Sequence, residues 1–245
     1  MNKPDDHCRA DIADRLTLFY KKYHIADIVY CIDLADHKAW FSHYSSKTIV
    51  HQKIAGRKHI YASSANALTY WRCWGRRWIV KDRNFEKVLE NSLHIWEYDC
   101  DMKDKSSPLI DMIKFGYRHR ITFSIPCPFS PELVARFSLL IDSDMVKNEL
   151  LNNRYTLVAE LEYLHMKIAR VHGKEINPLV DFNIVKPLSR NILSLLSDGY
   201  SRAEIAESCH LTERGIDYHI DVLKKTLAAR NIANLIKLAN THYLI

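Results

Sequence analysis

The apolar positions change period along the chain, and those changes sort it into elements. Over residues ~7–23, Ile12, Leu16, Leu18, Phe19 and Tyr23 fall on one side of a helix, with Asp14, Arg15, Lys21 and Lys22 elsewhere. Ile28 to Ile32 is a continuous apolar run of strand length. Ala39 to Tyr44 is a second strand candidate, with Asp36, His37 and Lys38 as the turn between them. Ser63 and Ser64 open a helix that runs through Leu68, Tyr70 and Trp71 toward Gly75. His94 to Tyr98 reads as a short strand, and Pro108 to Tyr117 as a helix closed by Gly116. Ile121 to Ile125 alternates with period two, and Arg136 to Ile141 gives another strand.

A long helix follows, capped at Ser143 and reaching about His172. Its Leu150, Leu157, Leu161, Leu164 and Ile168 are spaced for packing on a sheet or for a dimer seam, and the spacing leaves both open. Residues 173–182 carry Gly, Pro, Asn and polar side chains without periodicity, which places a linker there. Beyond Pro187 the helical period returns. The pattern predicts an α/β domain over residues 1–172, an α-β-α sandwich with a mostly antiparallel sheet. It predicts an all-α domain of four helices over residues 183–245.

Composition narrows this picture rather than changing it. Hydrophobic residues make up 47% and charged residues 26%, as in a folded water-exposed protein. No apolar run approaches the ~20 residues of a membrane span, and the first residues lack a signal-peptide pattern, so a cytoplasmic location is expected. Six cysteines (Cys8, Cys31, Cys73, Cys100, Cys127, Cys209) show no CxxC and no zinc spacing with histidine, so no metal or cofactor is expected. There is no GxSxG, P-loop or HExxH, which argues against an enzyme. The net charge is +6. Residues 183–245 hold eight Lys or Arg against six Asp or Glu, a modest excess for a domain that meets an anionic partner.

The all-α part contains the most specific pattern. Ser201 and Glu204 have the spacing of a capping box, Ile205 and Ala206 face inward, and a turn falls at Cys209 and His210. Thr212 then sits at a second N-cap ahead of Ile216, Ile220, Leu223 and Leu227 on one face. Two helices joined by such a turn form a helix-turn-helix, whose second helix enters the DNA major groove. Gly199-x-Ser201-x-x-Glu204-Ile205-Ala206, Leu211-Thr212-Glu213-Arg214-x-Ile216-x-x-His219, Leu227 and Arg230-Asn231 together resemble the LuxR-type helix-turn-helix.

That resemblance implies double-stranded DNA as partner, and a homodimer. It implies that Thr212, Glu213, Arg214, Asp217, Tyr218 and His219 lie near the groove, with Lys224 and Lys225 near the backbone. Arg214 has the planar fork that suits guanine, whereas Ser201, Arg202 and the lysines suit phosphates. His219 is read as a packing and phosphate residue, and Tyr218 as half core. The chain departs from the family pattern at His210, where a turn glycine is usual. It departs again at Gly215, usually threonine, and at Asp217, usually basic, which presents the wrong sign to DNA.

The N-terminal element order is similar to the autoinducer-binding domain of LuxR-type regulators, over roughly residues 10–170. Asp33 and Asp36 flank the first strand, but no later strand ends in a phosphoacceptor Asp, which excludes a receiver domain. The looser resemblance rests on Asp82 fourteen residues before Trp96 and on Gly116 ahead of Ile121–Pro126; Arg83 replaces the family's proline. It implies a pocket with Tyr70, Trp71, Trp74, Trp78, Asp82 and Trp96 as candidate lining. The ligand would be an acyl-homoserine lactone, an unrelated signal, or none. Read together, the motifs describe a transcription regulator. The rival is a ligand-sequestering or protein-interaction module that keeps the fold without sequence-specific DNA binding.

Overall fold

A computed structural model of the chain describes residues 4–40, 47–98 and 107–245. Its centre is a five-stranded antiparallel sheet in the order β2-β1-β5-β4-β3. The strands are β1 (Asp27–Leu34), β2 (Tyr61–Ala62), β3 (Leu93–Ile95), β4 (His119–Pro126) and β5 (Leu133–Ile141). Register places Thr122 opposite Ser138, and Tyr30 opposite Phe137.

Because strand side chains alternate between faces, the sheet has two distinct surfaces. Ile28, Tyr30, Ile121, Phe123, Phe137 and Leu139 form an apolar face, all at most 1% exposed. It is covered by α1 (Pro4–Lys22) and α8 (Arg154–His172), with Tyr30 Oη 3.0 Å from His165 Nδ1. The opposite face is covered by α3 (Lys47–Ala55), α4 (Ala65–Arg77) and α5 (Arg83–Glu90). The α-β-α sandwich expected from the pattern is present, as is an all-helical C-terminal region.

Two expectations are overturned, and a third finds only part of its ground described. Ala39 and Trp40 belong not to a strand but to a short helix, α2 (His37–Trp40), because the Asp36 carboxylate accepts from the Ala39 N–H at 3.0 Å; residues 41–44 lie outside the described residues. The helix begun at Ser143 is broken: α7 (Asp144–Asn152) ends where Asn153 bonds the Glu149 carbonyl with both its backbone and side-chain nitrogens. Asparagine's competition with helical hydrogen bonding explains the break. The leucine stripe is no dimer seam, since Leu150, Leu157, Leu161, Leu164 and Ile168 are all buried within the chain. Each such burial contributes about 1.5–3 kcal/mol relative to exposure. Leu18, read as inward, is exposed. The remaining N-terminal helix is α6 (Pro108–Lys114), capped by Ser107, with Gly116 following at φ 88°.

Residues 173–182 are packed. Ile176, Leu179 and Phe182 are buried, α9 (Pro178–Asp181) forms within the segment, and the Asp181 carboxylate accepts from the Lys58 and His59 N–H groups. The C-terminal region comprises α10 (Pro187–Ser197), α11 (Arg202–Cys209), α12 (Glu213–Thr226) and α13 (Ile232–Thr241). Residues after α13 return to α10 and to the segment that precedes it. Asn177 Nδ2 donates to the His242 and Tyr243 carbonyls, and Arg190 Nε donates to the Leu244 carbonyl. The Tyr243 ring stacks on Phe129 at 5.2 Å while its hydroxyl donates to the Ala169 carbonyl at 3.0 Å. Among the described residues no helix is long and apolar enough to cross a membrane.

Candidate functional site

Two places concentrate chemistry: the face of α11 and α12, and the layer between the sheet and α3–α5.

Both helices of the first are fixed by their caps. Ser201 Oγ accepts from the Glu204 N–H at 3.3 Å while the Glu204 carboxylate accepts from the Ser201 N–H at 2.7 Å, closing the capping box. His210 adopts the left-handed conformation at φ 54°, ψ 43°, doing the work of a turn glycine. Thr212 Oγ1 accepts from the Gly215 N–H at 3.1 Å and starts α12. Ile205, Ile216, Ile220, Leu223 and Leu227 bury the inner faces against Ile192, Leu193 and Leu235.

The outer face carries Thr212, Glu213, Arg214, Asp217 and Tyr218, all exposed, with Ser201 and Arg202 exposed beside them. Tyr218 is not half core: it is 65% exposed, because its position on α12 points away from the stripe of Ile216, Ile220 and Leu223. His219 is half-buried and pairs with Ser189 Oγ at 3.0 Å, the packing role expected of it. Arg214 forms no ion pair or hydrogen bond among the described residues. Arg202 Nε is held by Asp217 Oδ1 at 2.6 Å, and Lys224 by Asp221 at 2.7 Å; Lys225 is exposed.

In the second place, the candidate lining residues are brought together, but mostly as a packed layer. Tyr70, Trp71, Trp74 and Trp96 are buried. Trp74 and Trp96 meet edge-on at 5.3 Å. Their indole N–H groups are used inside the protein: Trp74 donates to Asp82 Oδ2 at 2.9 Å, Trp96 to Thr122 Oγ1 at 2.8 Å, and half-buried Trp78 to Asp111 at 2.9 Å. Asp82 is also occupied. It caps α5 through the Asn84 N–H and accepts from Asn84 Nδ2 and the Tyr98 hydroxyl as well.

The sheet side of this layer was missed by sequence reasoning. Thr122, Arg120, Arg136, Ser138 and Asp33 are all at most 6% exposed, yet they are polar. Asp33 pairs with Arg57 at 2.9 Å, His37 at 2.8 Å and Arg136 at 3.1 Å. Burial opposes its charge, but the surrounding cations prevail and hold the carboxyl at about 2. The available signal was the period-two row Arg120-Thr122-Ser124 facing Arg136-Ser138. Such rows face solvent in an open sheet, whereas here helices cover them.

Elsewhere, Cys8, His172 and Glu175 bring potential metal-ligating atoms within 4.8 Å of one another. His172 Nε2 is already engaged by Asp11 at 2.8 Å. The cysteines Cys31, Cys73, Cys127 and Cys209 are free thiols.

Comparison with known proteins bears on the first place. No curated protein sequence matches the chain. Two solved structures are similar in outline. Escherichia coli SdiA in space group P6522 is 15% identical with a TM-score of 0.45, over 100% of this chain and 93% of that one. SdiA in complex with octanoyl-rac-glycerol is 14% identical with a TM-score of 0.45, over 98% and 89%. Residues 188–239, which span α10 to α13, match the model of the family described as bacterial regulatory proteins, luxR family. The capped pair α11–α12 therefore sits in a helix-turn-helix domain of the luxR family of bacterial regulatory proteins.

Proposed function

We propose that the chain is a cytoplasmic, dimeric LuxR-type transcription regulator that binds double-stranded DNA through α12 and senses a small molecule in its N-terminal domain. Residues 1–172 form the sensory domain, 173–182 the connecting segment and 183–245 the DNA-binding domain. The observation that carries this reading is the free Arg214 on the exposed face of a fully capped α12, within the luxR-family match. Arg214 reads a base edge, and Ser201, Arg202, Lys224 and Lys225 meet phosphates. A dimer sets two such helices on half-sites about one helical turn apart.

Ligand occupancy acts by shifting the population of a DNA-competent arrangement. An acyl-homoserine lactone would meet the layer of Tyr70, Trp71, Trp74, Trp78, Asp82 and Trp96. The internal use of the polar groups of Trp74, Trp78, Trp96 and Asp82 favours a different signal. Fluorescence anisotropy of a labelled duplex titrated with the protein across a salt series tests the DNA-binding half. Affinity that falls steeply with salt is expected, and no salt-dependent binding would sink the proposal.

One observation favours a second reading, that of a sequestering or interaction module. Asp217 neutralises Arg202 on the face that would meet DNA. Asp217→Lys separates the two. A gain of about a hundredfold or more in affinity would mark the native α12 as unadapted to DNA, whereas a gain of about tenfold or less fits a working reader.

A further inference from the structure

Among the described residues, a cavity in the layer between the sheet and α3–α5 is lined by more cations than carboxylates. It measures about 20 Å³, and its charged lining is Arg57, Arg120 and Arg136 and one acid, Asp33. Arg57 and Arg136 are accounted for. Both pair with Asp33, and their other nitrogens reach the carbonyls of Ile54, Ile32 and Val88 and the hydroxyl of Ser124.

Arg120 is different. It is 3% exposed, makes no ion pair among the described residues, and donates only from Nη2, to Ser138 Oγ at 3.3 Å. Among the described residues its Nε and Nη1 have no partner. The guanidinium carbon lies 3.7 Å from the centre of the Trp96 ring and 4.5 Å from that of Trp74. Cation–π contact offsets part of the loss of water, but it leaves those N–H donors unmet. The buried Tyr70 hydroxyl, which meets no partner at good hydrogen-bond geometry among the described residues, lies against the same cation, whose charge and N–H groups both oppose the upward push that burial gives the phenol. A layer needed only for packing would be more stable with an apolar residue at 120.

We infer that Arg120 is the charge-recognising residue of a buried site for a small carboxylate, held between the polar face of the sheet and α4–α5. This rests on the sensory reading proposed above and names its ligand class. With the guanidinium overlain by indoles, its edge is the open approach, which a planar carboxylate meets through charge-assisted hydrogen bonds. The Tyr70 hydroxyl supplies a further donor. The cavity holds about one water molecule, so it receives the carboxylate head, and any longer body enters by displacing the aromatic cover.

The test uses the full chain at constant ionic strength, with tryptophan emission and thermal unfolding as readouts. Acetate, butyrate and octanoate are titrated against chloride, against the primary amides of the same acids, and against inorganic phosphate. At least one carboxylate is expected to shift emission and raise the melting temperature saturably, with its amide at least about tenfold weaker. Arg120→Met is expected to abolish the response while Arg76→Met, at an exposed position on α4, keeps it. Equal responses to acid and amide, no carboxylate response above chloride, a phosphate response without a carboxylate one, or a response retained in a folded Arg120→Met would each overturn the inference. The acid-against-amide comparison decides the matter on the unmodified chain even where the Met variant does not fold. Salt-dependent DNA binding of the same preparation, measured without ligand, separates failure here from failure of the regulator reading.

Discussion

Arg202 Nε lies 2.6 Å from Asp217 Oδ1, tying the first residue of α11 to the outward face of α12. Both side chains are about half exposed, so the pair adds little to folding, on the order of 0–1 kcal/mol. Under the proposed function its effect would fall on DNA binding, because the carboxylate holds a cation that the proposal sets against a phosphate. Asp217→Asn is expected to tighten binding to a non-specific duplex by roughly three- to tenfold and to steepen the salt dependence by about one counterion. Anisotropy titrations at several potassium chloride concentrations check this, with urea unfolding as control.

Gly215 lies in the first turn of α12, where a Cβ would meet Thr212 Oγ1 at 3.4 Å and Leu211 Cβ at 3.7 Å, ordinary contact distances. Gly215→Ala is therefore expected to stabilise the chain by about 0.5–1 kcal/mol, through helix propensity alone. The urea midpoint should rise with an unchanged slope.

Gly173 behaves in the opposite way. A Cβ there would fall 2.5 Å from both the Ala169 carbonyl oxygen and Tyr243 Cε1. Gly173→Ala is expected to cost about 1–3 kcal/mol by forcing the Tyr243 ring from its place against Phe129. Pairing it with Tyr243→Ala should recover part of that loss, measured by a double-mutant cycle in urea.

His165 is fully buried, and burial lowers its value from 6.5 to about 4. Between those values the unfolded chain takes up a proton that the folded chain refuses. The stability contributed by neutral His165 is thus complete above about pH 6.5 and is lost as pH falls toward 4, by up to about 3 kcal/mol. Denaturation midpoints measured from pH 7 to 4 should fall, and His165→Gln should flatten the slope. It should not remove the slope, since burial also lowers His37 and His242.

Much of the C-terminal half was legible because it is written in local chemistry. Ser201 with Glu204, and Thr212, each cap the helix that their position announced. The strands β1, β4 and β5 were likewise visible in their apolar period. What escaped depends on side-chain partners that apolar periodicity does not encode. Asp36 turned an apolar strand-like run into α2, and Asp82, read as facing a ligand, spends its oxygens on α5, Trp74 and Tyr98. The polar rows of β4 and β5 gave no sign that helices would close over them, so Arg120 was passed over. Tyr218 was misjudged for the same reason in reverse: its ring meets His219 edge-on but stays exposed.

The bonds from Asn177 to the His242 and Tyr243 carbonyls, with the Tyr243 hydroxyl on Ala169, have a mechanical consequence. The helix-turn-helix unit is fastened to the rest of the chain at its beginning and at its end, side by side. A unit held at one point can swivel; one held at two adjacent points is a flap with an axis. Any displacement reaching Asn177 would tilt α12 about that axis rather than let it wander.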